Sequence, residues 1–151
     1  DPPAELLDRV SGGSVNGERL EHGWQRHPEY AAAGLWSTAG DLGRFLLAFT
    51  ASLADADDAL LPTEWSRRLV GTVAPFAPTG PYAAVATGWF LDDETSPPVY
   101  RHNGRNIGYS AEIAGTIDGR CGVAVVTNAL PGGTELARDV IRTVADQQRW
   151  T

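Results

Sequence analysis

Residues 99–128, "VYRHNGRNIGYSAEIAGTIDGRCGVAVVTN", constrain this chain more than any other stretch. Three runs of strand character follow one another there: Val99 to Asn103, Ile107 to Ile117 and Cys121 to Asn128. Asp118-Gly119 accommodates a tight turn with positive φ, so the last two runs are expected to pair as a hairpin. Strand follows strand with no helix between, which predicts an antiparallel meander. At its entrance, however, stands His102-Asn103-Gly104, where a plain half-buried strand would alternate apolar and polar residues.

The flanking segments supply helices. In "GLWSTAGDLGRFLLAF", Ser37 or Thr38 can cap a first turn, Asp41 suits the positive helix end, and Leu42, Phe45, Leu46 and Phe49 recur at i, i+3, i+4 and i+7. Beyond the polar linker "ADADD", Pro62-Thr63-Glu64 opens a shorter helix that carries Trp65, Leu69 and Val70 to a stop at Gly71. "VAPFAPTGP" is read as a loop from its three prolines, "YAAVATGWFLD" as a further strand, and "DDETSPP" as its end. In "TELARDVIRTVADQQRW", Thr134 can cap, and Leu136, Val140, Ile141 and Val144 form one apolar stripe suited to covering a sheet.

The expected architecture is α+β: an antiparallel sheet of about four strands, with N-terminal helices and a C-terminal covering helix. Residues 1–34, rich in Gly, Pro and polar residues, are expected to be an irregular, partly flexible lead-in, and residues 35–151 the domain proper. Within it helices are placed at 38–71, strands at 82–128 and the last helix at 134–149.

Composition narrows the function. With 151 residues, 42% of them hydrophobic, the chain can bury a core, and no apolar run approaches the roughly 20 residues that cross a bilayer. A net charge of −7 disfavours a nucleic-acid partner, which needs clustered cations. All 12 basic residues are Arg, and there is no Met. The chain is therefore expected to be a soluble piece of a longer protein, with functional groups outside it; nothing in it points to a compartment.

Isolated residues mostly favour bland accounts. His22 and His27, near Glu21 and Glu29, match neither a helical histidine pair nor a zinc-knuckle spacing, so no metal and no cofactor is expected. The acidic run Asp55 to Asp58 lacks a spaced calcium-ligand pattern. Cys121, the lone cysteine, sits in "CGVAVV" as a small buried hydrophobe, and the five tryptophans are accounted for by packing, with Trp36 and Trp89 as alternative cleft walls. His102 differs through its context. Gly104 and Gly108 bracket the segment, glycine lets a ligand approach the backbone, and strand N–H groups there could face a carbonyl oxygen with His102 beside them as donor or proton carrier.

The order of three stretches, "PEYAAAGLWSTAGDLGRFLLAF", "YRHNGRNIGYSAEIAG" and "GVAVVTNALPGGTELARDVIRTVA", resembles the C-terminal part of the serine β-lactamase and penicillin-binding-protein-like superfamily. The branch most resembled contains class C β-lactamases, D-alanyl-D-alanine carboxypeptidases and related esterases. The resemblance implies a fragment of the β-lactamase/transpeptidase-like fold, with the third active-site motif, Lys-Thr-Gly or His-x-Gly on a sheet edge, falling on His102, Asn103 and Gly104. It further implies that His102 replaces the cationic lysine, that Gly104 admits substrate, that Asn103 binds substrate by contacting the acyl side chain or else holds the strand, and that the backbone N–H of Arg105 serves the oxyanion hole. The Arg105 side chain departs from the pattern and suits a substrate carboxylate. Ser-x-x-Lys and Tyr-x-Asn or Tyr-x-Ser are missing from the sequence: there is no Lys, and Tyr30, Tyr82, Tyr100 and Tyr109 lack the partner two positions on. The implied parent is a serine hydrolase acting on a small-molecule acyl substrate, and this chain alone is expected to be inactive. The competing reading is a non-catalytic binding or assembly module whose exposed sheet edge pairs with another copy or with a missing half.

Overall fold

A computed structural model describes residues 2–57, 59–75, 84–92 and 95–150. A 3-10 turn at Ala4–Arg9 leads into a ribbon of β1 (Ser14–Val15) and β2 (Glu18–Arg19), then a short helix α1 (Tyr30–Ala33). Helices α2 (Ala39–Leu53) and α3 (Thr63–Leu69) follow. Strands β3 (Ala74–Pro75), β4 (Ala84–Val85), β5 (Phe90–Asp92), β6 (Val99–Asn106), β7 (Tyr109–Thr116) and β8 (Gly122–Thr127) then make one antiparallel sheet in chain order. After it come β9 (Ala129–Leu130), parallel to β1, and α4 (Gly132–Gln148).

The class is α+β, with six strands in the main sheet where about four were expected. "YAAVATGWFLD" accounts for part of the difference, because it folds back on itself: Ala86 N–H donates to the Trp89 carbonyl at 2.8 Å, and Gly88 takes φ 81° in the turn between. Its first residues, Tyr82 and Ala83, lie outside the described residues, as do Asp58, Asp93 and Glu94. β3 arises in the proline-rich stretch read as a loop, and Pro75 is tolerated because it sits on the outermost strand. Phe76 to Pro81, the rest of that stretch, are outside the described residues.

Thr38 caps α2, accepting from Asp41 N–H at 3.1 Å. Leu46, Phe49 and Leu53 of this helix are buried, whereas Phe45 is exposed by 39%, so the buried stripe lies further along than the expected one. These residues pack with Val70 of the α3 C-cap, Trp89, Leu91 and Tyr100 into a core on one face of the sheet. On the other face Val99 and Ala114 meet Ile141 of α4 and Trp150, with Cys121 and Val125 partly buried around them. The sheet is thus the middle layer, covered by α2 on one side and α4 on the other.

Two expectations for α4 are corrected. Its N-cap is Pro131, without a side-chain cap, and Thr134 instead donates to Ser110 Oγ at 3.2 Å, because the helix already begins at Gly132. Its buried positions are Gly133, Ala137 and Ile141, while Leu136 is 55% exposed.

The first 34 residues have little regular structure, yet they are tied to the sheet. Ser14 N–H donates to the Asn128 carbonyl and Asn16 N–H to that of Leu130, at 2.9 and 2.8 Å. The Tyr109 hydroxyl donates to the Gly23 carbonyl at 2.7 Å and lies 2.9 Å from that of Ser11. Trp24, Trp36 and Tyr109 form an edge-to-face series with centroids 5.8 and 5.9 Å apart.

Candidate functional site

His102, Asn103, Gly104 and Arg105 all lie on β6, an inner strand between β5 and β7. The edge position that the family resemblance implies is met only in part. β5 pairs with Val99, Tyr100 and Arg101, and the β4–β5 hairpin turns away at Thr87-Gly88. Beyond Arg101, residues 102–106 have no strand on that side among the described residues.

The phase of the β6–β7 ladder decides which groups this open half presents. A two-residue connection, Ile107-Gly108, makes Asn106 and Tyr109 the closing hydrogen-bonded pair. At the other end Ile117 N–H donates to the Pro98 carbonyl at 2.9 Å, in the same phase. Alternation along the ladder then turns the amides of His102 and Gly104 towards β7, and those of Asn103 and Arg105 outward along the open half. The backbone N–H groups of Asn103 and Arg105 therefore face the side on which no strand lies among the described residues.

Side chains alternate the other way. Val99 joins the core under α4 and Tyr100 the core under α2, so His102 and Gly104 continue the Tyr100 row while Asn103 and Arg105 continue the Val99 row. His102 is exposed, its ring stacked on that of Phe90 with centroids 5.6 Å apart. Among the described residues a Cβ added to Gly104 would meet nothing within 4 Å, and Gly104 does not have a positive φ. Neither backbone conformation nor packing among the described residues requires glycine at this position. Arg105 is exposed.

Ser110, across the ladder from Arg105, is only 5% exposed, and its hydroxyl accepts from Thr134. A buried, engaged hydroxyl has no path to a substrate carbonyl. Among the described residues no three His, Cys, Asp or Glu side chains come together as metal ligands, and no helix is long and apolar enough to cross a membrane.

Two contributors escape sequence reasoning. Asn106 Nδ2 donates to the Ala33 carbonyl at 3.0 Å, fastening α1 beside the end of the open half. Before an Ile-Gly turn, this asparagine carries only a turn signal. Glu112 is buried on β7 directly across from Asn103, with its carboxylate 3.8 Å from Arg101 Nη1. Nothing local marks it among the strand's alternating residues.

The match of this chain to the family model supports a β-lactamase-like serine hydrolase fold, and the sheet between two helical layers agrees with it. The chain belongs to the Beta-lactamase family, which matches it over residues 1–147. No curated protein and no solved structure matches it.

Proposed function

We propose that residues 102–105 are the acyl-binding segment of a serine hydrolase in the branch of class C β-lactamases, D-alanyl-D-alanine carboxypeptidases and esterases. The observation that carries this reading is the open space over Gly104 among the described residues, none of which requires a glycine there, beside an outward Arg105 N–H. The substrate is an amide or ester acyl donor: a β-lactam, a D-Ala peptide or a small ester. Attack by a serine oxygen on its carbonyl leaves negative charge on the carbonyl oxygen, and a fixed backbone donor stabilises that charge without reorganising. The Arg105 N–H takes this part, His102 assists electrostatically or by proton transfer, and Gly104 lets the substrate backbone lie against the strand. Asn103 holds the strand or contacts the acyl side chain, and the Arg105 guanidinium meets a substrate carboxylate. The serine and its lysine come from outside these 151 residues, and no metal or cofactor takes part.

The test has two arms. Intact mass after incubation with a fluorescent penicillin, and separately with a fluorophosphonate, is expected to show no adduct; a stoichiometric adduct on Ser110 or any other serine would overturn the external nucleophile. In the 15N-labelled chain, benzylpenicillin is expected to shift the Gly104 and Arg105 amides selectively. Unchanged amides there at saturating ligand would overturn the acyl-binding segment.

A second reading, an assembly module, is favoured by β8. This outermost strand, "GVAVVT", has neither charge nor proline, and the ladder phase turns the amides of Gly122, Ala124 and Val126 away from β7. Antiparallel pairing of two copies about Ala124 would form a homodimer.

A further inference from the structure

We propose that Asn106 is a positioning residue that fixes Leu35 at the far end of the face over Gly104, where Leu35 meets an apolar substituent of the acyl donor; this rests on the reading of residues 102–105 as the acyl-binding segment. Asn106 closes the row of Tyr100, His102 and Gly104, so its side chain stands on the same face of the sheet, two residues or about 7 Å beyond Gly104. Tyr109, directly opposite it on β7, shares that face with Ile113, which packs against the core under α2.

The segment from Ala33 to Trp36 is fastened to both members of this pair. Asn106 Nδ2 donates to the Ala33 carbonyl at 3.0 Å, and the Trp36 ring meets Tyr109 edge to face with centroids 5.9 Å apart. The segment thus crosses the end of the hairpin from β6 to β7, on the face that carries His102 and Gly104. Ala33 is the last residue of a four-residue helix, and a helix so short has little stability of its own and leaves its final carbonyls without partners further along it. The side-chain amide of Asn106 answers one of those carbonyls from the sheet, which ties the place of the segment to the strand that carries Gly104.

Leu35 stands between the two anchors and is 79% exposed, an apolar side chain on a backbone held at either side. Tyr30 is also exposed, and a Cβ on Gly34 would lie 2.8 Å from Tyr30 Cδ1, so its ring rests against the segment beside Leu35. Residues 30–40 carry no charge. At the other end of the row the His102 ring is stacked on that of Phe90. The face over Gly104 is thus bounded by a ring pair at one end and an uncharged apolar lip at the other, four residues or about 13 Å apart along the strand. An acyl donor whose carbonyl oxygen takes the Arg105 N–H has its substituent within reach of that lip, where burial of apolar surface favours an apolar group.

The experiment titrates the whole 15N-labelled chain, as wild type, Asn106→Asp and Leu35→Ser, with benzylpenicillin and with 6-aminopenicillanic acid, the same bicycle without the phenylacetyl group. Near neutral pH the carboxylate of Asn106→Asp keeps the shape of the asparagine but cannot donate to Ala33. In the wild type, benzylpenicillin is expected to shift the amides of residues 34 and 35 together with those of Gly104 and Arg105, and 6-aminopenicillanic acid only the latter two. Each substitution is expected to raise the dissociation constant of benzylpenicillin about fivefold, with loss of the shifts at residues 34 and 35, and to leave that of 6-aminopenicillanic acid unchanged. A purely structural role would weaken both ligands alike, so equal weakening in Asn106→Asp would overturn the proposal. Wild-type shifts at Gly104 and Arg105 with none at residues 34 and 35 would overturn it too, and would leave the acyl-binding reading standing. Should Asn106→Asp fail to fold, Leu35→Ser, altered only at an exposed side chain, decides: benzylpenicillin binding as tight as in the wild type would overturn the proposal. No shift at any of the four amides in the wild type would remove the acyl-binding reading and this one with it.

Discussion

Gly104 on β6 and Gly115 on β7 belong to one hairpin and answer opposite demands. A Cβ at Gly115 would lie 2.6 Å from Tyr100 Oη, and Tyr100 is fully buried with no room to withdraw. Gly115→Ala is expected to destabilise the chain by about 1–3 kcal/mol through overpacking, read as a lower urea midpoint. Gly104→Ala meets open space, so stability is expected to hold or to rise by up to about 1 kcal/mol as unfolded-chain freedom is lost. The benzylpenicillin-induced shifts at residue 105 should vanish in the same variant. A Gly104→Ala chain that keeps those shifts would show that the space is not where the acyl group lies.

Among elements, the legible ones are those whose signals are local. Thr38 and Asp41 announce the start of α2, and Thr38→Ala is expected to cost about 1 kcal/mol of unfolding free energy by denaturant titration. Asp118-Gly119 announces the β7–β8 turn, where Gly119 takes φ 73°. His102, Asn103, Gly104 and Arg105 are contiguous in the sequence, so a single strand carries all four. What the sequence could not disclose depends on tertiary partners. Thr134 reads as a cap but is engaged by Ser110, and Leu136 reads as buried but lies on the outer side of its helix. The half-open state of β6 depends on where a neighbouring hairpin turns away, and Glu112 becomes notable only once the register sets it opposite Asn103.

For the molecule as a whole, pH is the accessible lever. Glu112 has a folded pKa above its unfolded one, so the native state binds the extra proton between the two values. Its contribution to stability is present in full below the unfolded carboxyl value and is lost as pH rises through the raised folded value. Melting temperature measured from about pH 4 to about pH 8 should therefore fall less in Glu112→Gln than in wild type, and parallel curves would count against a costly buried charge. Solution mass by light scattering tests the β8 edge: a dimer that dissociates in Ala124→Pro would support pairing there, and a monomer at all concentrations would remove the homodimer. The long tie between the first strand and the last carries a consequence in time. Ser14 is bound to Asn128, 114 residues further along the chain. During synthesis the Ser14 segment must wait, undocked, until the chain as far as Asn128 has emerged.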